Sequence, residues 1–85
     1  MVTYMESHID EGGDFHIKME TKDGMTRWLE TESTSERTYV FEVFYDEDAV
    51  CRSEELVAWC YGELESEDDV IDHAKSHNLK AEYTL

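Results

Sequence analysis

The stretch Thr38-Tyr39-Val40-Phe41-Glu42-Val43-Phe44-Tyr45 constrains this chain's fold more than any other. All but Glu42 are aromatic or β-branched, the side chains that fit a pleated, half-buried surface. They occupy both alternating sets of positions, so the strand they predict is central in a sheet or covered on both sides. Asp46-Glu47-Asp48 ends it.

The flanking segments supply partners for that strand. Phe15, Ile17 and Met19 alternate with His16, Lys18 and Glu20, the period of a strand with one buried face. Asp10-Glu11-Gly12-Gly13 precedes it as a turn. Lys22-Asp23-Gly24 follows as a hairpin turn, because Asp-Gly accepts the positive φ that tight hairpins require. Residues 25–32 return as a strand, with either Met25, Arg27 and Leu29 or Thr26, Trp28 and Glu30 facing inward. Residues 2–9 read as an edge strand, and 31–35 as a polar turn.

Beyond Tyr45 the pattern points to helices. Ser53 followed by Glu54 and Glu55 has the form of a helix start, and Leu56-Val57-Ala58-Trp59-Cys60-Tyr61 is apolar all round. Gly62 is a natural helix stop. These features predict a short buried helix over 53–61, packed in the core or at an interface with a partner or a second copy.

Ser66 then caps a second helix from about Glu67 to His77. The serine oxygen can accept from the third helical N–H, and acids in the first turn favour the positive helix end. Val70, Ile71 and Ala74 share one helix face, opposite Asp68, Asp72 and Lys75. Asn78 fits the stop position, and Leu79, Ala81, Tyr83 and Leu85 alternate as a closing strand. The expectation is a single α+β domain over residues 1–85, with element order β-β-β-α-α-β. In it an antiparallel sheet of about four strands carries two helices on one face.

Charge bounds the function. The net charge is −15 over 85 residues, which disfavours binding to bare nucleic acid or an anionic membrane and favours a basic partner. The acids are concentrated. Residues 1–41 hold nine acids against four bases, 42–72 hold twelve against Arg52 alone, and 73–85 hold Glu82 against two lysines. Adaptation to high salt is the alternative source of such acidity, but it should acidify the whole surface; four alanines, five tyrosines and four methionines also speak against it. No apolar run approaches the roughly 18–20 residues that span a bilayer, and the N-terminus lacks a signal-peptide pattern. A cytoplasmic location is therefore expected, with Cys51 and Cys60 as thiols.

Motifs for chemistry are weak. Cys51, Cys60, His73 and His77 are the residue types of a zinc site, and His73 and His77 share a helix face, but the cysteine gap is too long for a tight knuckle. A reactive cysteine needs an electropositive surround, and this chain is acidic around both. No phosphate loop, nucleophile elbow or dinucleotide fingerprint occurs. Neither Asp46-Glu47-Asp48 nor Glu67-Asp68-Asp69 has the ladder of a calcium loop. No enzyme activity, cofactor or resident metal is expected.

The candidate site is the acidic surface itself. It comprises Asp46, Glu47 and Asp48; Glu54 and Glu55; Glu63 and Glu65; and Glu67, Asp68, Asp69 and Asp72. Carboxylates one helical turn apart, such as Asp68 and Asp72, are about 6 Å apart along the axis, close to two phosphate steps of duplex DNA at roughly 3.4 Å each. In composition and size the chain resembles phage-encoded nucleic-acid mimics, which inhibit defence nucleases, CRISPR complexes or DNA-binding proteins. That resemblance implies a non-enzymatic inhibitor whose partner is a basic nucleic-acid-binding protein or nuclease complex. No motif carries it, so no functional residues transfer from that class. The alternatives are a regulatory interaction module, such as an antitoxin or assembly factor, that works through residues 56–61 or pairs with a second copy there, and a salt-adapted housekeeping domain.

Overall fold

The structure, a computed structural model, describes residues 4–76. Five strands form one antiparallel meander: β1 (Glu6–Ile9), β2 (Phe15–Lys22), β3 (Met25–Ser33), β4 (Arg37–Tyr45) and β5 (Cys51–Tyr61), paired in that order. Among the described residues one helix, α1 (Glu67–Ser76), packs on one sheet face. The class is α+β, with an antiparallel sheet that the helix covers on one face. The expected closing strand over 79–85, with Asn78 and His77, lies outside the described residues. No helix among the described residues is long and apolar enough to cross a membrane.

The alternation in β2 becomes a buried row of Phe15, Ile17 and Met19. Asp23 and Gly24 both take positive φ, at 54° and 77°, as a two-residue hairpin turn demands. Ile17 pairs with Leu29, which decides the β3 register. Leu29 and Thr31 face the core, and Trp28 and Glu30 face the other side. Buried Thr31 is satisfied on both roles: its Oγ1 accepts from the Phe15 N–H at 2.9 Å and donates to Asp14 at 3.3 Å.

The expected helix over 53–61 is strand β5, and this is the main correction to the fold. Among the described residues one helix stands where two are expected, and the sheet has five strands where about four are expected. The sequence pattern misleads because of a bulge: Val40 pairs with Ala58 and Phe41 with Leu56, leaving Val57 as an extra residue. An extra residue turns two consecutive side chains toward one face, so Val57 and Ala58 are both buried. The apolar run then loses its period of two. β-branched and aromatic Val57, Trp59 and Tyr61 suit a strand, and Gly62, at φ +80°, ends a strand here and not a helix.

α1 begins where its cap predicts. The Asp69 N–H donates to Ser66 Oγ at 3.2 Å and the Val70 N–H to the Ser66 carbonyl at 3.1 Å. Val70 and Ile71 enter the core with Ile17, Leu29, Val40 and Val57. Two further bonds fix how the helix lies across the sheet. Ser7 Oγ on β1 donates to Glu67 Oε2 at 2.6 Å, and His73 Nε2 lies 2.8 Å from the Trp59 carbonyl of β5.

Candidate functional site

Nine of the eleven sequence-identified acids are exposed: Glu47, Asp48, Glu54, Glu55, Glu63, Glu65, Asp68, Asp69 and Asp72. They do not form one continuous face. Asp46, Glu47 and Asp48 sit in the β4–β5 turn at one end of the sheet. Glu54 and Glu55 lie on β5, an outermost strand among the described residues. Glu63 and Glu65 lie on the connection past the far end, and Glu67, Asp68, Asp69 and Asp72 on α1.

Two of the eleven are half-buried and structurally engaged. Asp46 accepts from the Asp48 and Val50 N–H groups at 2.9 and 3.0 Å and from Arg52 Nε at 2.9 Å. The Val50 and Asp48 N–H groups and Arg52 together hold its carboxyl below the ordinary range, against a desolvation cost. Glu67 is likewise lowered, first by the Ser7 hydroxyl and then by its own backbone N–H.

The helix carboxylates have the firmest support. Buried Val70 and Ile71, the Ser66 cap and the Ser7–Glu67 bond fix α1 from both sides. Asp68, Asp69 and Asp72 therefore project from an anchored backbone. Meanwhile several of the chain's cations are committed elsewhere. Arg27 bonds Glu20 at 2.7 and 3.1 Å and Glu42 at 3.2 Å. Arg52 bonds Asp46, Lys18 is 3.8 Å from Glu6, and the Arg37 guanidinium stacks 4.7 Å from the Trp59 ring.

Of the zinc-type residues, the two cysteines do not converge, and His77 lies outside the described residues. Cys51 and Cys60 are nine residues apart on one strand, or about 30 Å at roughly 3.3 Å per residue. Both are free thiols, Cys51 exposed and Cys60 half-buried. Among the described residues no group of three or more His, Cys, Asp or Glu is placed to hold a metal.

The sheet face opposite α1 holds side chains that the acidic pattern did not single out. Trp28, Tyr45, Phe41, Tyr39 and Trp59 share it through the strand register, and Val43 is 2% exposed among them. At the β1–β2 side His8 stacks on His16, ring centroids 4.7 Å apart. His16 lies 2.8 Å from both Asp10 and Glu30, one carboxylate at each ring nitrogen. Only a doubly protonated ring donates to both. Burial opposes that charge, but hydrogen bonds to Asp10 and Glu30 outweigh it and raise the His16 pKa above its ordinary value. The alternation already put His16 and Lys18 on the outer face of β2; the undecided β3 register hid their meeting with Trp28 and Glu30.

No protein family, curated protein or solved structure matches this chain.

Proposed function

We propose that this domain is a non-enzymatic acidic binding protein that engages a basic partner, itself a nucleic-acid-binding protein or nuclease complex, by occupying a groove built for a phosphate backbone. The mode is that of phage-type anti-defence inhibitors, including those directed at CRISPR complexes. One observation carries the reading: Asp68, Asp69 and Asp72 stand exposed on a capped, core-anchored helix while Arg27, Arg37, Arg52 and Lys18 are engaged elsewhere. Fixed carboxylates lose less ordering entropy on binding than a floppy acidic tail would. Their repulsion within the free protein is relieved by cationic groups from outside.

The test is affinity capture by the tagged protein from a lysate at low and moderate salt, with the bound proteins identified by mass. The reading expects basic nucleic-acid-binding proteins that are lost steeply as salt rises and are displaced by duplex DNA. Capture that ignores both salt and DNA refutes it. That outcome would favour a second reading, an interaction module using β5, where Leu56 and Tyr61 are 38% and 70% exposed. Unfolding on transfer to low salt would instead indicate a salt-adapted domain.

A further inference from the structure

The sheet face opposite α1 carries a concavity of about 410 Å³, within the range of small-ligand pockets. Trp28 forms its aromatic wall. His8 meets that ring at 6.1 Å and 70°, and Tyr45 meets it at 6.4 Å and 85°, so steeply inclined rings stand on either flank. Glu30, Asp46 and Glu47 contribute carboxylates to the same lining. Steep rings with carboxylates between them are the surroundings that attract an organic cation.

We propose that this concavity seats an arginine side chain of the basic partner; this rests on the functional reading above. Arginine fits better than lysine because its planar guanidinium can stack on the Trp28 ring while its N–H groups address a carboxylate. The chain already stacks one of its own arginines against aromatic rings on the same sheet face. Arg37 lies 4.7 Å from the Trp59 centroid and 5.2 Å from that of Tyr61. The charges around the pocket are unequal in availability. Glu30 accepts from Tyr45 and lies against His16, and Asp46 is held by Arg52. Glu47 is exposed at the rim, which makes it the carboxylate to meet an incoming cation. Lys18 also lines the pocket and lies 3.8 Å from Glu6, its partner on β1. A nucleotide would suit the rings, but its phosphate would face Glu30, Asp46 and Glu47, while the lining cations His16 and Lys18 lie against carboxylates of the chain itself.

The experiment is a 1H–15N NMR titration of the whole protein with N-acetyl-arginine methylamide, against the neutral isostere N-acetyl-citrulline methylamide. The proposal expects saturable shifts at the Trp28 indole N–H and at the Glu30 and Glu47 amides with arginine. Citrulline should bind at least about fivefold more weakly. Glu47→Gln, at an exposed position that leaves the fold intact, should weaken arginine binding by a similar factor. Equal response to citrulline, shifts at Trp59 in place of Trp28, or full affinity in E47Q would overturn it. The two readings fail separately. No response here removes the pocket and leaves the helix carboxylates to their own test, whereas arginine binding without capture of any basic protein removes the broader reading and leaves the pocket.

Discussion

Replacing Ile71 by alanine tests whether α1 is the lid of the core. Ile71 is 1% exposed and packs among Ile17, Leu29, Val40 and Val57. Truncation removes three carbons, or about 2.4 kcal/mol of transfer free energy at about 0.8 kcal/mol each. A cavity term normally adds to this. Here Ile71 already borders a cleft of about 140 Å³ with Met19, Arg27 and Lys75, so truncation widens an existing opening more than it seals a new void. The expected loss is therefore near the transfer value, about 2.5–3 kcal/mol, in a domain whose total stability should be about 4–13 kcal/mol. Urea unfolding followed by tryptophan fluorescence should show a midpoint lowered by about 2 M with an unchanged slope. Asp72→Ala, on the outward helix face, should shift stability by no more than about 0.5 kcal/mol. A loss under about 0.5 kcal/mol for Ile71→Ala would mean that the helix does not close the core.

Three further outcomes are expected. Ala49 has φ 60° in the β4–β5 turn, where a side chain is strained and glycine is not, so Ala49→Gly should raise stability by about 0.5–1 kcal/mol in the same assay. His16 has a raised pKa, so the stability it contributes is complete below about pH 6.5 and fades as pH climbs through its folded value. The stability difference between wild type and His16→Gln should therefore shrink across that window, and a difference that grows with pH would contradict the Asp10–His16–Glu30 arrangement. Glu67 has a lowered pKa, so its contribution is present above its unfolded value and lost on acidification through the folded one. Ser7→Ala should move the Glu67 carboxyl back up in a 13C-detected titration.

How far each element could be read from the sequence depended on whether its local signal was unique. In β2 the strict alternation of Phe15, Ile17 and Met19 admits one reading, and Asp23-Gly24 fixes the turn after it. Ser66 with three acids behind it likewise marks the start of α1 without ambiguity. β5 was not legible, for four reasons. The bulge at Val57 erases its alternation. Gly62 signals a positive φ equally well after a helix or a strand. The turn before β5 places Ala49 where a glycine would have announced a hairpin. A Ser-Glu-Glu start then mimicked a cap, although Ser53 pairs with Phe44 inside the sheet. The acids were legible as a composition but not as an arrangement, since the path of the chain carries them from the β4–β5 turn, past the far end of the sheet, to α1. The grouping of Trp28, Tyr45 and His8 depended on a cross-strand register that period alone left undecided.

The most direct measurement is partner binding by the Asp68→Lys, Asp69→Lys, Asp72→Lys triple variant. Each reversal adds two charges, so the net charge moves from −15 to −9. All three side chains are exposed, so circular dichroism should show the fold retained at a cost of about 0.3–1 kcal/mol for each first-turn acid lost. The account predicts that a basic partner captured by the wild type at moderate salt is lost to the variant; retention of that partner by a folded variant would contradict it.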